Sequence, residues 1–241
     1  MILVTGDIHA NIDIHKLSSN KFPLGHSLTR KDYIIICGDF GLVWDNSKKE
    51  KWWREWLNNK PWTTLFIDGN HENFDLLNSY PVTNKWGGKV HQIEDNIYHL
   101  MRGQVFIIDN KKIFTFGGAK THDKKHRIEN VSWWRAELPT QDEMDEGIKN
   151  LEENNWNVDY VITHCCDSKT TKAIPINTNM SDDEFSEYKY EFETDCLTDY
   201  LQTIDDKLSY KHWFCGHHHI NCIIDNKVLL YNSIVNSLTV L

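Results

Sequence analysis

An α/β fold is predicted for this chain, because short apolar runs rich in β-branched residues alternate along it with segments of helical periodicity. The chain has 241 residues, of which 40% are hydrophobic and 12% aromatic, so it can bury one sizeable core. We find no internal repeat, low-complexity tract or Pro/Gly-rich linker that would divide it. The sequence therefore predicts a single domain over residues 1–241.

Apolar runs bounded by polar residues or glycine predict the strands. They cover residues 2–5, 33–37, 64–68, 105–109, 113–117, 160–164, 212–216 and 227–235. The runs at 105–109 and 113–117 are joined by the stretch DNKK, which is a hairpin signal. At least one part of the sheet is therefore expected to be antiparallel.

The predicted helices begin at capping boxes, in which a Ser or Thr and a Glu three residues later satisfy each other's main-chain amides. Three pairs fit this pattern: Ser47 with Glu50, Thr140 with Glu143, and Ser181 with Glu184. The last helix is predicted over about 182–208. Residues 167–180 show no such pattern, and we expect an irregular loop there that could serve as a lid.

The helix after Ser47 carries the sequence KKEKWWREWL, whose basic and aromatic residues are also found in membrane-surface segments. Trp52, Trp53, Trp56 and Leu57 fall on one helical stripe, however. This spacing favours packing of the stripe onto a sheet.

Charge and cysteine content limit the partners and the compartment. The 35 acidic and 26 basic residues give a net charge of -9, and the only dense basic segment is the short stretch 120–127, so duplex nucleic acid is not an expected partner. The six cysteines have no framework spacing and are expected to be free thiols in a reducing compartment. We also find no signal peptide and no apolar run approaching the ~18 residues that span a bilayer. A cytoplasmic protein without a membrane partner is predicted.

Polar side chains follow five of the predicted strands at the point where each strand ends. They are Asp7 and His9, then Asp39, then Asn70, His71 and Glu72, then His164, and finally His217 and His219. Because open α/β sheets bind ligands at the carboxyl ends of their strands, these side chains are expected to meet in one site. A single Asp-x-His or Gly-Asp match would be weak, but chance does not supply all five in order.

Three consecutive histidines occupy positions 217 to 219. In an extended chain, residues two apart project to the same side. We therefore expect His217 and His219 to point toward the site and His218 to be turned aside.

The chemistry of the set predicts a pair of metal ions. It contains two carboxylates, one carboxamide and four imidazoles, with His71 left over, and a lone divalent ion rarely takes seven ligands of mixed type. A carboxylate can bridge two cations ~3.5 to 4 Å apart, and such a pair clamps a phosphoryl group and activates a bridging water as the nucleophile. Manganese is the favoured metal, with iron, zinc or cobalt as alternatives.

These ordered motifs, from Asp7 to His219, resemble the calcineurin-like metallophosphoesterase superfamily. The resemblance implies a two-sheet β-sandwich flanked by helices, in four αββα layers. It also implies that one metal is bound by Asp7, His9 and His219, that the other is bound by Asn70, His164 and His217, and that Asp39 bridges them. The stretches FTFGGA (114–119) and SWWRAELP (132–139) are similar to a bacterial or phage branch.

By the same resemblance, His71 is the general acid that protonates the leaving group, oriented by either Asp39 or Glu72. Substrate contacts by His122, Arg127 and Arg135 stay open. The stretch GDFGLVWD lacks the phosphate-gripping arginine that follows Gly-Asp in the Ser/Thr protein phosphatases, which disfavours that activity.

Two functions remain. The first is a phosphoesterase acting on a phosphomonoester or phosphodiester, such as a nucleotide or another small phosphate ester. The second is a metal-binding scaffold of the same fold without turnover. All of the expected ligands are present, which favours the enzyme. The oligomeric state is not predicted.

Overall fold

A computed structural model describes residues 1–178 and 180–239. The strands in these ranges are β1 Ile2–Thr5, β2 Tyr33–Ile36, β3 Thr63–Phe66, β4 Val82–Lys85, β5 Gly88–Glu94, β6 Ile97–Leu100, β7 Gln104–Ile108, β8 Lys111–Phe116, β9 Tyr160–Thr163, β10 His212–Cys215, β11 Cys222–Ile224, β12 Lys227–Leu229 and β13 Ile234–Asn236. The α-helices are α1 Lys48–Asn58, α2 Phe74–Leu77, α3 Gln141–Glu153, α4 Ser168–Asn177, α5 Asp182–Tyr188 and α6 Cys196–Asp205.

The strands form two mixed sheets. Sheet 1 has the order β13-β1-β2-β3-β6-β5-β4, and sheet 2 has the order β11-β12-β10-β9-β8-β7. In sheet 1, β1, β2, β3 and β6 are parallel neighbours. In sheet 2, β8, β9, β10 and β12 are parallel neighbours. The carboxyl ends of each parallel set therefore meet at one edge of its sheet.

Three apolar clusters define four layers. Ile2 and Val4 of β1 join Phe214 of β10 in a cluster between the sheets, whereas Leu3 faces the other side, as the two-residue period of a strand requires. That outer side packs against Leu57 of α1. The outer face of sheet 2 packs against α3 and α6. The predicted α/β fold, a two-sheet sandwich flanked by helices, is confirmed.

The predicted hairpin is also confirmed. β7 and β8 pair antiparallel, with Ile108 opposite Lys111. The two residues between them, Asp109 and Asn110, have φ values of 48° and 59°, the left-handed conformation of a tight hairpin turn that Asp and Asn tolerate well.

The irregular loop predicted at 167–180 is wrong over most of its length, because Ser168–Asn177 form α4. The Asp167 side chain caps this helix by accepting a hydrogen bond from the Thr170 amide, and Pro175 lies inside it near the end. The capping aspartate and the burial of Thr170 and Ile174 on one face stabilise this helix, although it contains a proline. Asn179 lies outside the described residues.

Two other predictions differ in detail. The helix expected over 182–208 is interrupted between α5 and α6, where Asp195 caps a new helix by accepting hydrogen bonds from the amides of Leu197 and Thr198. The strand expected at 227–235 is divided into β12, which belongs to sheet 2, and β13, which pairs with β1 in sheet 1. The strands β4 to β6 were not predicted: β4 is polar and largely exposed, and β5 and β6 are buried but interrupt their apolar residues with polar ones.

Helix α1 packs on sheet 1 through Leu57, with Trp53 and Trp56 partly buried, but Trp52 is 56% exposed, so the predicted stripe is only partly covered. Ser47 caps the helix by accepting a hydrogen bond from the Glu50 amide. The Glu50 carboxylate does not complete a capping box and instead binds other main-chain amides.

No helix in the described part of the chain is both long and apolar enough to cross a membrane. The single-domain organisation over residues 1–241 stays a prediction, and its last two residues lie outside the described ranges.

Candidate active site

The predicted site residues lie in loops at the carboxyl ends of neighbouring strands of both sheets. Each residue lies one to five positions after the end of its strand: Asp7 and His9 follow β1, Asp39 follows β2, Asn70 and His71 follow β3, His164 follows β9, and His217 and His219 follow β10. The parallel registers of these strands align the loops.

One group of donors is suited to a divalent cation. Ligand atoms of Asp7, His9, Asp39 and His219 all lie within 4.8 Å of one another. Nε2 of His9 is 3.2 Å from Oδ2 of Asp39, and Nε2 of His219 is 3.1 Å from Oδ2 of Asp7. That Asp7 oxygen is buried and, despite the short contact with His219, accepts no hydrogen bond of good geometry. A buried carboxylate oxygen without a donor is costly unless a cation offsets its charge, so these residues fit a metal.

The orientation of His9 is set by Asp13. Nδ1 of His9 is 2.8 Å from Oδ2 of Asp13, which leaves Nε2 facing the two buried carboxylates. Burial lowers the pKa of His9, but the hydrogen bond and charge of Asp39, with Asp7, outweigh it and raise that pKa to about 9. Without a metal, a proton on Nε2 offsets the carboxylates, and a cation would take its place.

A second group of candidate ligands surrounds His164. His164 is fully buried, and its Nδ1 is 2.6 Å from the main-chain oxygen of Cys37. Its Nε2 is therefore free to face Oδ1 of Asp39 at 3.3 Å and Oδ1 of Asn70 at 3.2 Å. The ring of His217 lies 5.0 Å from that of His164, centroid to centroid. Among residues 1–178 and 180–239, however, His164 and His217 do not join a group as tight as the first.

Asp39 lies between the two groups. Its Oδ2 faces His9 and its Oδ1 faces His164, so each carboxylate oxygen is turned to a different set of ligands. Burial would raise the pKa of Asp39, but the charge and hydrogen bond of His164 hold it well below its usual value. Burial and the charge of His164 lower the pKa of His217 well below normal, which keeps its ring neutral and able to bind a metal.

A family model for calcineurin-like phosphoesterases matches residues 1–221. This chain belongs to the calcineurin-like phosphoesterase family. The match and the Asp/His group together support a metal-dependent phosphoesterase. No curated protein matches the chain. The bacterial or phage branch stays a prediction.

In this phosphoesterase chain, the histidines at 217 to 219 differ from the extended conformation we expected. His217 and His219 have φ values of 67° and 51°, so the segment is a turn. His219 joins the first group and His217 faces His164, whereas His218 stacks on Phe192 at 5.9 Å between ring centroids. The outer two histidines thus reach different groups because the backbone turns between them.

The expected partner of His71 is wrong. Nδ1 of His71 lies 3.2 Å from Nη1 of Arg127, and Asp39 instead accepts a hydrogen bond from the His71 main-chain amide. Glu72 accepts hydrogen bonds from the amides of Phe40 and Gly41. Because a guanidinium can only donate, Nδ1 accepts and the proton of a neutral His71 ring resides on Nε2. Burial lowers the pKa of His71, and the charge of Arg127 adds to this effect.

Two glycines permit the close approach of the loops. A Cβ atom at Gly69 would collide with Oδ1 of Asp39, and one at Gly216 would collide with Oδ1 of Asp7. Any side chain at these positions would displace a carboxylate of the site. The glycines that appeared to end strands in the sequence therefore also make room for the ligands.

Sequence reasoning missed several supporting residues. Lys16 is buried, and its Nζ donates to the main-chain oxygens of Gly6 at 3.0 Å, Asp7 at 2.7 Å and Tyr231 at 2.6 Å. Burial lowers the pKa of Lys16 to about 8. The three hydrogen bonds from Lys16 stabilise the loop that carries Asp7. The position of Lys16 between the apolar residues Ile14 and Leu17 was the available signal.

A second support reaches Asn70. Nδ2 of Asn70 is 3.3 Å from Oγ1 of Thr121, whose hydroxyl donates to Glu137 at 2.7 Å. Glu137 is fully buried and also accepts from the Thr121 amide at 3.0 Å and pairs with Lys124 at 2.6 Å. Sequence reasoning did not identify Glu137 as a supporting residue, because nothing in its spacing connected it to Asn70.

The site opens into a cavity of about 720 Å³. Its walls include Asp39, His71, His122, Lys125 and Arg127. The cavity thus places cationic and imidazole groups beside the carboxylates, although the whole chain is acidic. Arg135, by contrast, is 82% exposed and pairs with Glu129, so it lies at the surface.

Proposed function

We propose that this protein is a dinuclear metal-dependent phosphoesterase that hydrolyses a phosphomonoester or phosphodiester, such as a nucleotide or another small phosphate ester. The observation that carries the proposal is the position of Asp39, whose two carboxylate oxygens face two separate sets of ligands. A carboxylate with this placement is suited to bridging two cations.

The contacts divide the candidate ligands into two sets. Asp7, His9 and His219 would hold one ion, and Asn70, His164 and His217 would hold the other, with Asp39 shared. Bound divalent ions lower the pKa of water enough to supply a nucleophile near neutral pH and neutralise phosphoryl charge. Manganese suits this mixture of oxygen and nitrogen ligands, and iron, zinc and cobalt do so as well.

His71 is placed to serve as the general acid. Its Nδ1 accepts from Arg127, so its Nε2 carries a proton that can be donated to the oxygen of the departing alcohol. Arg127 also lines the cavity and supplies a guanidinium for the phosphate oxygens. Asp123 pairs with Arg127 at 2.5 Å and restricts its position.

The substrate class follows from the cavity. Lys125 and Arg127 contribute positive charge to a space of about 720 Å³, which has the size of a small-molecule pocket. A small anionic ester fits such a space, whereas the overall charge of -9 opposes the long backbone of a duplex.

The decisive experiment is a substrate panel with metal-depleted protein to which Mn²⁺ is added back. It should include monoesters, linear and cyclic diesters, and dinucleotides, and bound metal should be counted by mass spectrometry. We expect Mn²⁺-dependent release of alcohol or phosphate, two ions per chain, and loss of turnover in Asp39→Ala. Full metal occupancy without turnover of any ester would instead establish the non-catalytic scaffold.

A further inference from the structure

A second cavity, of about 470 Å³, adjoins the metal-side cavity. His71 and Arg127 line both of them, so the two spaces meet at the proposed general acid. We call this second cavity the aromatic groove, because Trp44 and Trp53 form part of its wall. A substrate whose phosphate lies in the first cavity can extend past His71 into the groove.

The walls of the two cavities differ in chemistry. The aromatic groove combines the apolar side chains of Ile12, Trp44 and Trp53 with polar ones such as Asp45 and Lys49, whereas the metal-side cavity is lined mainly by charged and imidazole side chains. Ile12 is 70% exposed at the groove. Apolar side chains that stay exposed beside a proposed catalytic site are typical of a surface that binds an apolar part of a ligand.

The wall that carries Trp44 is held in place before any ligand binds. Glu50 accepts hydrogen bonds from the amides of Trp44 at 3.0 Å and Asp45 at 2.7 Å, and it pairs with Arg54 at 2.9 Å. The Trp44 ring also packs edge to face on Trp134, with 5.3 Å between centroids. A rigid aromatic surface loses little conformational entropy when a ring stacks on it.

We propose that the aromatic groove is the subsite for an aromatic substituent of the phosphate ester, an inference that rests on the proposed function. The phosphoryl group lies on the metal side of His71, and the ring lies between Ile12 and Trp44. In hydrolysis, a water oxygen bonds to phosphorus while the bond from phosphorus to the substituent oxygen breaks. The alcohol leaves with the proton from Nε2 of His71, and the proton that the water loses restores the ring. The substrate class is therefore a phosphate ester of a ring-bearing alcohol, of which a nucleoside is one example.

Benzyl phosphate and methyl phosphate test this subsite, because their alcohols have nearly equal acidity and differ mainly in the ring. With Mn²⁺ present, kcat/KM for benzyl phosphate should exceed that for methyl phosphate by about tenfold or more, the factor expected from burying part of one ring. Trp44→Leu and Ile12→Ser should each reduce this preference severalfold. Trp86→Leu is the matched control, because Trp86 is partly buried and its ring contacts Tyr33 and Tyr98, which lie outside the groove.

Calorimetry supplies a readout that is independent of turnover. Benzylphosphonate should bind the Mn²⁺-loaded protein more tightly than methylphosphonate. Ile12→Ser removes no buried contact and should reduce the difference in affinity between the two phosphonates. Equal binding of the two phosphonates would overturn the subsite, as would a benzyl preference unchanged in both groove variants, even if both esters are hydrolysed. Preferential benzylphosphonate binding without any hydrolysis would support the subsite and count against the proposed function.

Discussion

The two halves of the candidate site differ in their contact with solvent. In the half made by Asp7, His9 and His219, the His219 side chain is 48% exposed. In the half made by Asn70, His164 and His217, His164 is fully buried between the sheets' loops. We call the first the exposed half because of His219, although its Asp7 carboxylate is buried. The buried half is part of the core, so its side chains contribute to folding as well as to binding.

The supports of the two halves differ in the same way. His9 is held by Asp13, a partly exposed carboxylate. Behind Asn70, by contrast, Asp68 is buried and pairs with His99 at 3.1 Å and with Arg102 at 2.6 Å. A buried ionic network is costly to break from one side, because the partner charge is left without compensation. Changes near the buried half should therefore affect stability more than changes near the exposed half.

Asp39 belongs to both halves, and its replacement should have the largest effect. Asp39→Asn keeps the shape of the side chain but removes the charge that two cations would share. We expect kcat for Mn²⁺-dependent ester hydrolysis to fall by about a thousandfold, because the charges around the phosphoryl group are no longer balanced. Bound Mn²⁺ should fall below two ions per chain. Asp95→Asn, at an exposed turn, is the control, and equal losses in both variants would refute the bridging role.

Replacing one histidine from each half compares their contributions to folding directly. In metal-depleted protein, His164→Ala should lower the free energy of unfolding by about 3 kcal/mol, because it leaves buried carboxylates without a partner. His219→Ala should change it by less than about 0.5 kcal/mol, since that side chain is half exposed. Urea titrations followed by tryptophan fluorescence measure both. Similar losses of unfolding free energy in the two variants would show that the two halves contribute equally to folding.

Glu137 tests the support of Asn70. Glu137→Gln replaces a buried acceptor of three hydrogen bonds or ion pairs with an amide, and we expect stability to fall by about 2 kcal/mol. The KM for Mn²⁺ activation should also rise, because Thr121 no longer orients Asn70. Glu129→Gln, at the exposed partner of Arg135, serves as the comparison. An unchanged metal requirement in Glu137→Gln would limit its role to folding.

His91 gives the buried network a pH dependence. Burial and the charge of the neighbouring His99 lower the pKa of His91 from 6.5 to about 4. The unfolded chain therefore binds the proton more readily, and stability falls as the pH drops from 6.5 toward 4. We expect this loss to be on the order of 2 kcal/mol greater in the wild type than in His91→Gln. Denaturant titrations at a series of pH values measure it, and parallel curves would contradict the assignment.

Asp13 should have the smallest effect, because it supports the exposed half. Asp13→Ala removes the carboxylate that orients His9, and we expect Mn²⁺ affinity to fall by about tenfold with little change in stability. Isothermal calorimetry with Mn²⁺ measures this. Asp13→Asn, which can still accept the hydrogen bond, should recover most of the affinity. If Asp13→Asn does not recover the affinity, Asp13 contributes to Mn²⁺ binding through its charge and not by orienting His9.

Much of this architecture could be predicted from local patterns. The apolar run at residues 2–5 predicted β1, and the stretch DNKK that begins at Asp109 predicted the hairpin. Interactions between distant segments could not be read in this way. α4 was missed because residues 167–180 showed no helical pattern, whereas the Asp167 cap and the burial of one helix face against the rest of the chain stabilise a helix. The partner of His71 was also missed, because Arg127 is 56 residues away in the chain.

The amino-acid sequence by itself determined which chemical groups stand at the end of each strand, because those groups follow directly from residue type and strand position. Only the tertiary structure decided which of them meet. The two parallel strand sets bring the loops together, and the turn at residues 216–219 sends His217 and His219 to different groups. The physical reason is that contact between ligands depends on strand register and loop conformation. Both are set by packing over the whole chain and not by any one segment.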